Sequence, residues 1–306
     1  MTRVSVLMSA YNAEKYIAES IESILSQTFE DFEFIIIDDG STDNTSQIIK
    51  SYNDYRIKYH YHKNQGVSKS LNMGLALAEG EYIIKLDADD IAYKERIAKQ
   101  VSFMDSHPDY SLCGGGIDII SEDGEYIYTM IPTSEDQDIR KEMEYKNSFV
   151  HSTMCYRKES ALSFGGYYED IKHFCEDYCL GYQLTKVGKV YNFPESFVAY
   201  RLVPNSLSSR NSSKEYVELV HRIVKNGVAT PSELERLNSI RRKVDSKKRK
   251  SHDYFLALAR LYKFYKKDYK KAFKNYSMAI KYKKISMNSI KTIVFLLLPN
   301  FAINKK

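Results

Sequence analysis

The chain has 306 residues, 43% of them hydrophobic, which suffices for one sizeable core with an appendage and excludes a disordered or collagen-like polymer. Its net charge of +5 conceals a division: from Arg210 onward 25 Lys and Arg face 7 Asp and Glu, leaving about −13 on residues 1–209 and about +18 beyond. Cys113, Cys155, Cys175 and Cys179 lack C-x-x-C spacing and no signal-peptide layout opens the chain, so a cytoplasmic protein is expected.

Val4 to Met8 is a short β-branched run that stops at Ser9-Ala10-Tyr11-Asn12, after which Ile17, Ile21, Ile24 and Leu25 recur at helical spacing. The same strand-loop-helix pattern returns three times. Phe34 to Ile37 leads through Asp38-Asp39-Gly40-Ser41 into a helix near Thr45 to Ser51. Ile57 to Tyr61 precedes a helix over Val67 to Ala78, and Tyr82 to Leu86 precedes one carrying Ile97, Val101 and Met104. Repeated β-α units predict an α/β fold, a Rossmann-like, mostly parallel sheet with helices on both faces. After Leu112 the alternation loosens, with Gly114-Gly115-Gly116, a turn at Glu122 to Glu125, and strand-like pieces at Tyr126 to Ile131 and Ser152 to Tyr156. Gly165-Gly166-Tyr167 and Cys175-Glu176-Asp177-Tyr178 follow, the latter entering a helix with Leu180, Leu184 and Val187. From Lys214 the chain reads helical and basic, including a helix pair over Tyr254 to Tyr265 and Tyr269 to Lys283, so the domains are placed at 1–210 and 211–306.

In such sheets ligands bind beyond the carboxyl ends of the strands. The residues there are Ser9 to Asn12, Asp38 to Asp43, Asn64 to Lys69 and Asp87 to Asp90. Placing Asp38, Asp39, Asp87, Asp89 and Asp90 on one rim makes each costlier to ionise, and a divalent cation relieves that repulsion. Asp87-Ala88-Asp89 offers hard oxygens suited to Mg²⁺ or Mn²⁺ with positions left for phosphate. Each motif also has a plainer reading. A D-x-D triplet is often a solvated turn, Asp43 or Thr45 serves as a helix cap, and Glu176-Asp177 suits the positive end of a helix.

Taken together, Val4 to Asn12, Gln27-Thr28-Phe29, Asp38 to Thr45, Asn64 to Gly74, Asp87 to Asp90, Gly165-Gly166-Tyr167 and Glu176-Asp177 occur in an order that resembles the family 2 glycosyltransferases of GT-A fold. The resemblance covers residues 1–209. It implies that Ser9, Tyr11 and Asp39 form a nucleotide pocket, Tyr11 stacking on uracil and Asp39 accepting its N3–H. It implies that Asp87 and Asp89 hold the metal and diphosphate, Asp89 the more direct ligand, and that Asp177 is the general base of an inverting transfer. His151, Glu176 and Arg201 fall on its acceptor side. Two departures stand out. Leu71 precedes Asn72 where the family often has Arg, which shifts donor contacts to Lys69, and Val203 stands where many members carry a His that assists the metal.

The expected activity is transfer of a sugar from a UDP-sugar to a hydroxyl of a glycan or lipid-linked glycan in surface polysaccharide synthesis, with Mn²⁺ or Mg²⁺ as cofactor. A sugar-phosphate nucleotidyltransferase is the enzyme alternative, but Ser9 to Asn12 is not the Gly-rich basic loop it requires. A non-catalytic nucleotide-sugar scaffold is the other, opposed by the joint presence of Asp39, Asp89 and Asp177. The basic tail, with Lys283-Lys284 leading into Ile285, Ile290, Ile293, Val294, Leu297 and Leu298, points to peripheral contact with an anionic membrane on its inner face, its longest apolar run being too short to span. Nucleic acid is not an expected partner, since no nucleic-acid fold is recognisable and the acidic first part opposes wrapping.

Overall fold

The computed structural model describes residues 2–170, 175–204, 214–226, 229–244, 247–282 and 286–297. Strands β1 (Val4–Ala10), β2 (Phe32–Asp38), β3 (Ile57–Tyr61) and β4 (Tyr82–Lys85) lie parallel in the order β3-β2-β1-β4. β1 and β2 sit inside this half and are buried almost throughout, which is why their sequences are apolar runs rather than alternations. Helices α1 (Ile17–Leu25), α2 (Thr45–Ser51) and α3 (Val67–Leu77) return the chain between them. Ile17, Ile21 and Ile24 form the buried stripe of α1, as their spacing predicts.

Beyond β4 the sheet becomes mixed. The elements are β5 (Ile91–Ala92), α4 (Arg96–Ser106), β6 (Tyr110–Ile120), β7 (Tyr126–Met130), α5 (Asp136–Met143), β8 (Cys155–Arg157), α6 (Lys158–Leu162), α7 (Glu176–Val187) and β9 (Lys189–Arg201). The strand order continues β8-β6-β9-β5, with β7 beside β6, and β8 pairs antiparallel with both β4 and β6. The parallel expectation thus describes the first half only. Gly114-Gly115-Gly116 lies inside β6, because the neighbours fill the space side chains would take: a Cβ on Gly115 would sit 2.5 Å from the Phe197 ring. Residues 151–153 form a 3-10 turn, so the strand expected from Ser152 begins at Cys155.

Five helices follow: α8 (Lys214–Asn226), α9 (Pro231–Val244), α10 (Lys247–Leu261), α11 (Tyr269–Tyr282) and α12 (Met287–Leu297). A π-helical turn, Tyr262–Lys266, ends α10, and Lys267 at φ +55° closes it before α11. α10 packs along α11, and α12 packs on both. Two compact units emerge, one of residues 1–118, 129–200 and 220–229, the other of residues 119–128, 201–219 and 230–306. In the second, the Glu125 carboxylate accepts hydrogen bonds from Tyr262 at 2.8 Å and Lys271 at 2.6 Å, and Tyr128 stacks on Tyr265. The expected boundary at 210 and the residues Lys283, Lys284, Ile285 and Leu298 lie outside the described residues. Among the described residues no helix is long and apolar enough to cross a membrane.

Candidate active site

The loops after β1 and β2 are stitched together by side chains. Asn12, left-handed at φ +50°, accepts from Thr42 N–H at 2.8 Å, while its own N–H donates to Ser41 Oγ at 3.0 Å. Ala13 N–H donates to Thr45 Oγ1 at 2.8 Å, and Glu14 N–H to Asp43 at 3.2 Å. Tyr11, just before these tied residues, is 52% exposed. Ser9 is half-buried in β1 opposite Ile37.

Asp38 and Asp39 are both buried and differently employed. Asp38 accepts from Ser41 N–H at 2.8 Å and Tyr59 Oη at 3.1 Å, shaping its own loop. Asp39 reaches the next loop, where its two oxygens accept the N–H groups of Gln65 at 2.7 Å and Gly66 at 3.0 Å, with His62 3.5 Å away. Gly40, at φ +77°, lets these loops approach: a Cβ there would meet Asn64 N at 2.6 Å. Asp39 therefore aligns the start of α3, on which Lys69 is exposed.

At the end of β4 a buried cation absent from the sequence-based site pairs with Asp87, whose side chain is 35% exposed. Lys85, fully buried, donates to Leu86 O at 2.8 Å and to Asp87 Oδ1 at 2.5 Å. Burial alone would raise the Asp87 titration, but the Lys85 charge and hydrogen bond hold the carboxyl well below its usual range. His151 Nδ1 stands 3.8 Å from the same oxygen, and its Nε2 is 3.2 Å from Tyr167 Oη. Burial, reinforced by Lys85, pushes His151 down to about 3, so it is neutral at pH 7. Ser152 supports both neighbouring acids: its Oγ accepts from Asp87 N–H at 3.1 Å and donates to Asp90. Arg96, also buried, donates to the carbonyl of Lys85 at 2.7 Å and so fixes the strand end.

The third part of the site is the start of α7. Cys175, left-handed at φ +62°, turns the chain so that Glu176 and Asp177 form the first helical turn. Asp177 accepts from Asn147 Nδ2 at 2.8 Å and Tyr178 N–H at 2.7 Å. Burial pushes Asp177 up to about 6; the Tyr178 N–H opposes that shift and the Asp87 charge adds to it. Burial, then the Asp177 charge, pushes Glu176 up to about 8. Asp87, Glu176 and Asp177 thus feel one another's fields.

Asn72, singled out in sequence only as a departure point, clasps the Gly165-Gly166-Tyr167 turn. Its Oδ1 accepts Tyr167 N–H at 2.7 Å and its Nδ2 donates to Tyr167 O at 2.8 Å. Gly166, at φ +78°, makes room, since a Cβ there would lie 2.6 Å from Asn72 Oδ1. Tyr167 in turn bonds His151, completing a route from α3 to the end of β4.

The structure therefore brings together Asp87, His151, Glu176 and Asp177, and adds Lys85, Asn147, Ser152 and Tyr167. Asp89 is half-buried two residues beyond Asp87. Arg201 belongs to the second unit, where its guanidinium donates to Glu122 O at 3.0 Å. Lys85 left one sequence signal, a cation ending the apolar run Tyr82-Ile83-Ile84. Among the described residues no three His, Cys, Asp or Glu side chains are arranged to hold a metal ion between them. Asp89 and Asp87 still fit Mg²⁺ or Mn²⁺ chemically, because such ions are commonly held by one or two carboxylates plus substrate phosphates. Asp87 enters that set with one oxygen already engaged by Lys85.

The family model described as Glycosyl transferase family 2 matches residues 5–165. A Haemophilus influenzae protein named as an uncharacterized glycosyltransferase is 37% identical over 221 residues, 67% of this chain and 67% of its own. Amylovoran biosynthesis glycosyltransferase AmsE of Erwinia amylovora is 30% identical over 70% of this chain and 83% of its own. Across the first curated relatives the matched part spans from 21% to 67% of their lengths. Among solved structures, S. aureus TarS in complex with UDP-GlcNAc superposes with a TM-score of 0.60 at 20% identity, over 91% of this chain and 90% of that one. The mannosyltransferase PcManGT of Pyrobaculum calidifontis, in complex with GDP-Man and Mn²⁺, gives 0.55 at 14% identity over 96% and 79%. These likenesses show the GT-A fold, a mixed sheet flanked by helices with further helices at the C-terminus. The chain belongs to glycosyl transferase family 2.

Proposed function

We propose that this protein is an inverting glycosyltransferase that takes a sugar from a nucleoside-diphosphate donor, a UDP-sugar, and passes it to a hydroxyl of a glycan or lipid-linked glycan. The observation that carries the reading is the pair of unlike acids near the end of β4. Asp87 is held ionised by Lys85, while Asp177 is pushed up to about 6, the range of a general base working near neutral pH. Membership of the family, the UDP-GlcNAc bound to TarS and the amylovoran biosynthesis in the name of AmsE support donor and acceptor classes.

In this mechanism the uracil stacks on Tyr11, and Asp39 holds the loop before α3 through the Gln65 and Gly66 N–H groups. Asp89, with Asp87, would hold Mn²⁺ or Mg²⁺, which when bound neutralises charge building on the leaving diphosphate. Asp177, oriented by Asn147 and Tyr178 N–H, takes the acceptor proton as the acceptor oxygen attacks the anomeric carbon from the face opposite the diphosphate. One new C–O bond forms, the sugar–phosphate bond breaks, and configuration inverts. Residues 1–210 form the catalytic domain, and the basic residues 211–306 place it on the inner face of an anionic membrane. The test is nucleoside diphosphate release from UDP-, GDP- and ADP-sugars with Mn²⁺ or Mg²⁺ and a mixed glycan acceptor pool. Release from UDP-sugars is expected; a chain that binds sugar nucleotides yet releases none overturns the catalytic reading.

A further inference from the structure

α12 is amphipathic in the unusual sense. Its polar Ser289 and Thr292 are buried, together with Leu296, while Met287, Ile290, Val294 and Leu297 are 67%, 45%, 50% and 70% exposed. The spacings of three, four and three place those four on one stripe of the helix. A surface helix ordinarily turns its apolar stripe inward, so this one is held reversed by its polar contacts. His252 Nε2 is 2.9 Å from Ser289 Oγ, and Arg260 reaches Thr292 Oγ1 at 2.9 and 2.6 Å from two of its nitrogens. The buried Lys263 donates to the carbonyl of Phe295 and, at 3.2 Å, to that of Leu296, satisfying the helix end. At the other end Ser286 and Ser289 exchange side-chain to N–H hydrogen bonds at 3.2 and 3.1 Å, a reciprocal cap. Both ends and the inner face are therefore built, and the outward stripe is apolar.

We infer that this stripe, Met287, Ile290, Val294 and Leu297, is the face that enters the surface of an anionic lipid bilayer. The occupant is chosen by charge. Lys291 is exposed on the same helix, and from Arg210 onward 25 basic residues face 7 acidic ones, an excess that repels a second copy of itself and attracts anionic headgroups. A helix of this kind lies in the interface with its apolar side among the acyl chains and its cations at headgroup level. The inference deepens the peripheral placement proposed above by naming the surface responsible, and it is independent of whether transfer occurs.

The full chain is floated with phosphatidylcholine vesicles with and without phosphatidylglycerol, at low and high salt, beside the variants Ile290→Gln/Val294→Gln and Leu297→Gln. These positions face outward, so unchanged helical circular dichroism and melting are expected. Wild type floats with phosphatidylglycerol vesicles at low salt, and the double variant partitions at least roughly tenfold more weakly. Equal flotation of wild type and variants overturns the assignment of α12 while leaving membrane placement standing. No flotation of wild type overturns both, and nucleotide release from the same preparation reports separately on catalysis. A concentration-dependent dimer in sedimentation that the double variant abolishes, without vesicle binding, assigns the stripe to a second copy and equally overturns the inference.

Discussion

Replacing Asp177 with asparagine removes a proton acceptor while changing little else. The carboxylate accepts from Asn147 Nδ2 and Tyr178 N–H at 2.8 and 2.7 Å, and an amide can serve only one of these donors well with its single oxygen. The stability cost is therefore that of one weakened hydrogen bond, about 1–2 kcal/mol. The catalytic cost of losing a positioned base is about 10²- to 10⁴-fold in kcat, or about 3–5 kcal/mol in the barrier. Nucleotide release should fall by that factor while KM for the donor stays within about threefold, since no bond to the donor is assigned to Asp177. The pH profile adds a readout that a structural role would not move. Asp177, pushed up to about 6, must be ionised to act, so wild-type kcat falls as pH drops through that value, and the asparagine variant should lose this limb. Asn147→Ala acts on the same group differently, because removing a donor to the ionised form raises its titration and moves the limb to higher pH. An Asp177→Asn enzyme with more than about a tenth of wild-type kcat and an unmoved limb would refute the assignment and transfer the role to Glu176.

Glu176, pushed up to about 8, favours its protonated form when folded, so its share of stability is lost as pH rises from its unfolded range through that value. Urea unfolding should show wild type losing more stability between pH 5 and 9 than Glu176→Gln, by about 1–3 kcal/mol, and equal losses would contradict the burial argument. Asp39→Ala orphans the Gln65 and Gly66 N–H groups, which should cost about 2–3 kcal/mol, speed their hydrogen exchange and weaken UDP binding. Unchanged exchange there would mean the loop is held by other means. Lys85→Met leaves the 35% exposed Asp87 carboxylate without its cation and should cost about 1–2 kcal/mol in thermal unfolding, part of it recovered by adding Asp87→Asn. Additive losses in the double variant would show that the two side chains are not a pair.

What could be read from sequence was what repeats locally. The runs Val4 to Met8 and Phe34 to Ile37 end in polar loops, and the strand-end rule puts Tyr11, Asp39 and Asp87 just beyond β1, β2 and β4, where they lie. The mixed half of the sheet was illegible because its cues are long-range. Gly114 to Gly116 reads as a breaker until Phe197 and Asn192, some eighty residues on, are seen filling the space. The clasp of Asn72 on Tyr167 spans 95 residues and the Asn147–Asp177 bond spans 30, and no periodicity encodes either. For α12 the apolar letters were visible but their direction was not, since Ile290 and Val294 face outward only because Arg260 and His252 claim the polar side.

Lys85 explains how three acids can share one neighbourhood and still divide the work. Asp87, Glu176 and Asp177 each raise the cost of ionising the others, and without a compensating charge the first proton would be retained wherever burial is greatest. A buried ammonium 2.5 Å from Asp87 decides the order: that carboxylate ionises first and stays ionised. Its field then falls on α7, where burial has already raised both acids, and keeps them titrating near neutral pH. The cation that keeps Asp87 ionised therefore leaves the basicity to Asp177, so a change at Lys85 should move the acidic limb of the rate as well as donor affinity. The loss of Asp87 charge in Asp87→Asn should shift that limb to lower pH, the direction opposite to Asn147→Ala, because one removes a repelling anion and the other a stabilising donor.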